Sequence, residues 1–148
     1  MSQEKQNAAR TAVDQIEDGM MVGLGTGSTA AFAISYLGEK VRSGLTISAI
    51  PTSEASKKQA QSEGIPLIDF KTSPSIDICI DGADEIDSEL NMIKGGGGAL
   101  LREKIVASSA KRYLIIIDSS KQVQTLGTFP LPVAVSYTHL TLPTTPYV

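Results

Sequence analysis

Short β-prone runs alternate with helical stretches along this chain, and that alternation leaves few folds open to it. Met20–Leu24, Leu45–Ile50, Leu67–Phe70, Ile76–Ile80 and Tyr113–Ile117 read as strands. Helices are predicted over residues 3–17, from about Ser28 to Arg42, from a Thr52 or Ser53 cap to Glu63, and from about Ala99 to Ala110. Ala9, Ala12, Val13 and Ile16 share one face of the first helix, and Ala31, Ile34, Ser35 and Leu37 to Val41 line the inner side of the second. Asp18-Gly19, Gly44 and Gly64 stop the first three helices. Strands that alternate with helices in this way imply an α/β fold, a largely parallel open sheet with helices on both faces of the Rossmann-like kind. Open sheets of this class bind ligands beyond the C-terminal ends of their strands. The Gly-rich and charged segments of this chain fall at those ends.

Composition narrows the function classes. A chain of 148 residues suits one domain and needs no disulfide or metal staple. Its net charge of −3 argues against a nucleic-acid or anionic-membrane partner. Cys79 is the single cysteine and sits in the apolar run Ile76–Ile80, which suggests a buried, inert thiol. The charged start Met1-Ser2-Gln3-Glu4-Lys5 is unlike a signal peptide, and no apolar run approaches the ~20 residues of a membrane-spanning helix. The expectation is a soluble, cytoplasmic protein.

Three segments carry the chemistry. Gly23-Leu24-Gly25-Thr26-Gly27-Ser28-Thr29 leaves a strand and opens a helix. Unpaired N–H groups at a helix start favour an anion, and the hydroxyls of Thr26, Ser28 and Thr29 can add hydrogen bonds. A dinucleotide fingerprint would want Gly where Ser28 stands and an acid near Thr46 and Ile47, while a Walker loop would want a lysine. A monophosphate ester fits the turn better than a nucleotide; a plain strand–helix turn capped by Ser28 is the alternative. Asp81-Gly82-Ala83-Asp84-Glu85 follows a hydrophobic strand. Two carboxylates this close in sequence are expected to share a proton and serve as acid and base around a hydroxyl, although a solvated turn or a Mg²⁺ site is also compatible.

Lys94-Gly95-Gly96-Gly97-Gly98 puts an ammonium on backbone able to approach a ligand closely, where it can stabilise developing oxygen charge. Glu103 lies on the next helix between Arg102 and Lys104, a setting that by itself suggests a solvated surface residue. Lys121, after the strand that ends near Asp118, can reach a phosphate as a point charge.

Taken together, Gly23–Thr29, Asp81–Glu85, Met92-Ile93-Lys94-Gly95-Gly96-Gly97, Leu101-Arg102-Glu103-Lys104 and Phe129-Pro130-Leu131-Pro132-Val133 resemble the type A ribose-5-phosphate isomerases, from the N-terminal helix to about Val135. The resemblance implies aldose–ketose interconversion of D-ribose 5-phosphate and D-ribulose 5-phosphate in the pentose phosphate pathway, through a cis-enediol(ate) and without metal or cofactor. It makes Glu103 the base between C2 and C1. Asp81 assists ring opening and proton transfer at the sugar hydroxyls, with Asp84 beside it, and Lys94 holds the enediolate oxygen. Thr26, Gly27, Ser28, Thr29, Gly82, Ala83, Gly95, Gly96, Gly97 and Lys121 are the substrate-binding positions it implies. The implied partners are a small sugar phosphate and a second copy in a homodimer. A non-catalytic sugar-phosphate sensor, or a related sugar-phosphate deaminase or CoA-transferase-like enzyme, is the competing reading.

The end of the chain departs from that pattern. Ser136–Val148 has four threonines, two prolines and no charged residue. It is similar to translated adapter sequence, with a natural Thr/Pro-rich tail as the alternative. The expected organisation is therefore a catalytic domain over 1–135, lacking the family's C-terminal α/β lid, and a non-family segment over 136–148 that includes His139, the only histidine. Such a shortened chain is expected to be less stable than a full family member, with weak activity or none.

Overall fold

The computed structural model describes residues 2–72 and 75–135. Four strands, β1 (Met21–Leu24), β2 (Ser48–Pro51), β3 (Ile76–Asp81) and β6 (Ala110–Ile115), form one parallel sheet in the order β2-β1-β3-β6. Between β3 and β6 the chain makes a small antiparallel pair, β4 (Glu85–Ile86) and β5 (Met92–Ile93). The helices are α1 (Ser2–Val13), α2 (Ser28–Arg42), α3 (Glu54–Ser62) and α4 (Leu100–Ser108). None of them is long and apolar enough to cross a membrane.

The two faces of the sheet are filled differently. Val22, Leu24, Ala49, Ile78 and Ile80 join Ala9 and Val13 of α1 and Ile34 and Leu37 of α2 in the larger cluster. Cys79 and Ile50 pack with Val106 of α4 in the smaller one, beside Met21 and Tyr113. Alternate residues of a strand point to opposite faces, so both faces of β1 and β3 are apolar, as a covered parallel sheet requires. The approach of α4 depends on Gly23: a Cβ there would lie 2.8 Å from both Cys79 Sγ and Val106 Cγ1. The thiol of Cys79 is pushed up to about 12 by burial and then by the charge of Asp81, so it is inert as the sequence suggests.

Strand order reverses between β1 and β3, the neighbours at the centre of the sheet. The chain runs from β1 through α2 to β2 on one side, then returns to place β3 on the other. A crevice opens beyond the strand ends at such a switch point, and both the Gly-rich turn and Asp81 emerge there.

Several boundaries differ from those expected, each for a local reason. The first helix gives way after Val13 because Gln15 and Ile16 hydrogen-bond three residues back, to Ala12 and Val13, which tightens the last turn. Residues 45–47 precede the ladder of β2, tied instead to the turn before β1 by Gly19 N–H to Thr46 O and Thr46 N–H to Asp18. The strand expected at Leu67–Phe70 contributes a single bridge, Ala49 to Leu67, and then turns into a 3₁₀ helix at Phe70–Thr72. Ser53, not Thr52, caps α3, in a capping box with Ser56. Leu131–Val135 carries no regular structure. The segment 136–148, with His139, lies outside the described residues.

Gly23→Ala is expected to force α4 off the sheet or displace Cys79, at a cost of about 1–3 kcal/mol. Thermal unfolding should show this as a lower midpoint, and an unchanged midpoint would mean the α4 contact is looser than its geometry indicates.

Candidate active site

The crevice at the switch point is a cleft of about 130 Å³. Thr26, Gly27, Ser28, Thr29, Gly82, Ala83, Asp84, Lys94, Gly95, Gly96, Gly97, Glu103 and Lys121 line it. Every site residue expected from sequence therefore reaches one cavity, with the exception of Asp81.

Asp81 ends β3 fully buried beneath the floor of the cleft. Its Oδ1 accepts hydrogen bonds from Thr26 N–H at 3.0 Å and Gly82 N–H at 2.7 Å. Its Oδ2 lies 3.1 Å from Lys94 Nζ, an ion pair without a well-aligned hydrogen bond. Gly25 makes this position possible, since a Cβ there would overlap the Asp81 carboxylate and lie 2.5 Å from its Cα.

The expected pairing of Asp81 with Asp84 gives way to a different one. Asp84 turns outward with the chain leaving β3, and its Oδ2 accepts from Gly96 N–H at 2.8 Å. The carboxylate that shares an ammonium with Asp81 is Glu103, whose Oε1 is 3.1 Å from Lys94 Nζ. Lys94 Nζ also donates to the carbonyl of Gly82. One ammonium thus sits among two carboxylates and a carbonyl.

Glu103 is 5% exposed, whereas its neighbours Arg102 and Lys104 face solvent. It shares the inner face of α4 with Val106, three residues on, so the helix that packs against Gly23 also carries Glu103 inward. Burial raises the Glu103 pKa above its ordinary 4.5, and the charge of Asp81 raises it further against the pull of Lys94. Burial alone would lower the Lys94 pKa, but the charges of Asp81 and Glu103 outweigh it and hold the ammonium protonated. Among the described residues no group of three His, Cys, Asp or Glu side chains is arranged to hold a metal ion.

The other end of the cleft presents the start of α2. Gly27 is the N-cap of α2 at φ 108°, and no side chain caps the helix start behind it. That backbone angle favours glycine and leaves the first N–H groups of α2 facing the cleft. The Thr26 hydroxyl is not available there: it pairs at 2.8 Å with Thr52 Oγ1, whose own proton goes to Leu24 O at 2.9 Å. Thr26 presents its methyl side to Gly97 instead. The buried Thr52 is thus a support of the turn, where the sequence suggested only a helix cap.

One cation was missed in the sequence. Lys5, on α1, donates to Ser28 Oγ at 3.0 Å and lies 3.5 Å from Asp118. Asp118 is 2% exposed and caps the turn that carries Lys121; hydrogen bonds from the Ser120 side chain, then its backbone, help hold its pKa low. Ser119 in the same turn bonds Glu4 of α1 through its N–H and hydroxyl. Lys5 is thereby drawn to the start of α2, while Lys121 lines the same cleft from near the other end of the described chain. A lone Lys in a polar helix start gives no sequence signal of this; only the packing of α1 on α2 places it.

Residues 48–143 match the family model described as ribose 5-phosphate isomerase A (phosphoriboisomerase A). The chain belongs to the ribose 5-phosphate isomerase A family. It is 55% identical to "Ribose-5-phosphate isomerase A" of Methylorubrum extorquens over 132 residues, covering 89% of this chain and 56% of the relative. The chain thus spans little more than half the length of the curated isomerase A relatives it matches. The solved ribose 5-phosphate isomerase A of Methanocaldococcus jannaschii superposes with a TM-score of 0.82 at 44% identity, covering 85% of this chain and 56% of that one. A D-ribose-5-phosphate isomerase structure in complex with phospho-erythronic acid matches equally well, with a TM-score of 0.82, 43% identity and coverage of 84% and 55%.

Lys94→Met removes the ammonium and leaves two buried carboxylates facing each other. The expected loss of stability is about 3–5 kcal/mol at neutral pH. The gap to the parent chain should narrow as pH falls through the raised Glu103 value, because a proton on Glu103 relieves the repulsion. Chemical denaturation over a pH series measures both, and a pH-independent gap would show that the two carboxylates do not interact.

Proposed function

We propose that this chain carries the active site of an aldose–ketose isomerase acting on D-ribose 5-phosphate and D-ribulose 5-phosphate. The observation that carries the reading is Glu103, a buried carboxylate with a raised pKa, held against the Lys94 ammonium at the edge of a cleft whose other end is the start of α2. A sugar-phosphate sensor would need that helix start but no buried base. Support also comes from the family, and from a relative seen with phospho-erythronic acid, an acyclic anion carrying a phosphate.

In this reading the phosphate sits at the start of α2, between Lys5 and Lys121, and fixes the sugar carbons against Glu103. The Glu103 carboxylate takes the proton from C2 of the open-chain aldose. The electron pair forms the C1–C2 double bond of a cis-enediolate while charge grows on O1. The same proton returns to C1, and the O2–H proton moves to O1, leaving the ketose carbonyl at C2. Lys94 stabilises the oxyanion, a contribution of about 2.7–4 kcal/mol per such donor.

Asp81 and Asp84 divide the tasks expected of the pair. Asp84 lines the cleft and handles the protons of the sugar hydroxyls and ring opening. Asp81, closed off below the floor, positions Lys94 and the Thr26 turn. The homodimer and the cytoplasmic, pentose-phosphate setting belong to this proposal as implications of family membership.

The test is formation of ribulose 5-phosphate from ribose 5-phosphate with a chelator present. Glu103→Gln is expected to lower turnover by about 10²–10⁴-fold while phospho-erythronic acid still binds. The acid limb of kcat/KM should lie above the ordinary glutamate value of 4.5, since activity needs the carboxylate and burial delays its ionisation. An unchanged rate in Glu103→Gln overturns the assignment of the base.

A further inference from the structure

The buried Glu85 serves none of the steps above, yet the structure commits its carboxylate fully. It is 3% exposed and follows Asp84 by one residue. Its Oε2 accepts from Gly127 N–H at 2.8 Å and its Oε1 from Phe129 N–H at 2.6 Å. The same β4 strand holds the start of this segment, through Val123 N–H to Ile86 O at 2.9 Å. Residues 122–129 therefore run along β4 as a strap, with Gly127 at φ 119° turning the chain around the Glu85 carboxylate.

The far end of the strap touches the cleft. Phe129 Cζ stands 2.8 Å, and Asp84 Oδ1 2.7 Å, from where a Cβ on Gly96 would be, so an aromatic ring and a carboxylate together close off that face of Gly96. Asp84 also takes the Gly96 N–H. On its other edge β4 pairs with β5, which leads directly into Lys94, and Asp84 N–H bonds Ile93 O at 2.8 Å. A strand of two residues thus spaces the Lys94–Gly97 loop from the strap, which follows Lys121 and carries Phe129.

We propose that Glu85 is a positioning residue: it clamps the strap so that the Phe129 ring seats on Gly96 and fixes the glycine loop of the cleft. A carboxylate suits this task because it can accept both strap N–H groups at once, whereas an amide offers one acceptor oxygen and turns a donor against the other N–H. The ring acts by filling the space beside Gly96, which leaves the loop one backbone path. The clamp rests on the isomerase reading for its effect on ligand, but not for its effect on the loop.

The experiment is a double-mutant cycle of Glu85→Gln and Phe129→Ala in the full chain, with two measurements. The first is amide hydrogen exchange at Gly96; the second is calorimetric affinity for phospho-erythronic acid, with KM and kcat for ribose 5-phosphate alongside. Each single change is expected to speed Gly96 exchange and weaken the acid about tenfold, raising KM with little change in kcat. The double change should be no worse than the stronger single one, because both act through the same ring. Multiplicative effects, or a lower melting midpoint with Gly96 exchange unaltered, overturn the clamp. If the parent chain does not bind the acid, the isomerase reading fails, and Gly96 exchange alone still decides the clamp.

Discussion

The Lys94 ammonium organises everything around it. Asp81 lies buried behind it, Glu103 beside it and the Gly82 carbonyl against it. None of these acceptors would be comfortable in the interior alone, since an isolated buried charge costs far more than a paired one. Their mutual contact requires three elements to end at one point: β3 for Asp81, β5 for Lys94 and α4 for Glu103. Two glycines permit that convergence, Gly25 by leaving room for Asp81 and Gly23 by letting α4 come down on β1. The interior packing and the polar centre are therefore one problem of fit.

The fold was legible because its signals are local. Apolar runs, glycine stops and a capping serine mark most elements within a few residues, and alternation of strand and helix implies the parallel sheet. The errors fell where hydrogen bonds, not hydropathy, decide the outcome, as at Leu67–Phe70, where one bridge is all the edge of the sheet accepts. The β4–β5 pair was missed because two residues per strand leave no periodic trace.

The candidate site was legible as a set of residue types and less so as an arrangement. Sequence neighbours Asp81 and Asp84 suggested a carboxylate pair, yet the turn after β3 sends them to different partners. Glu103 looked like a solvated helix residue from its flanks; its burial follows from sharing a face with Val106. Thr26 offered a hydroxyl that Thr52, remote in sequence, withdraws. Lys5 gave no signal at all, because its role depends on how one helix lies across another.

The way Glu4 and Lys5 meet the turn at 118–121 has a consequence for how the protein gains its order. These contacts join residues as far apart as 115 positions, close to the whole described length. Closing a loop that long is entropically late in folding, since non-local contacts form only after nearer ones have shortened the effective chain. The start of α2 is accordingly a seam at which distant parts of the described chain are fastened to each other. An anion held across that seam binds only the fastened state, so it works on the whole cooperative unit and not merely on the walls it touches.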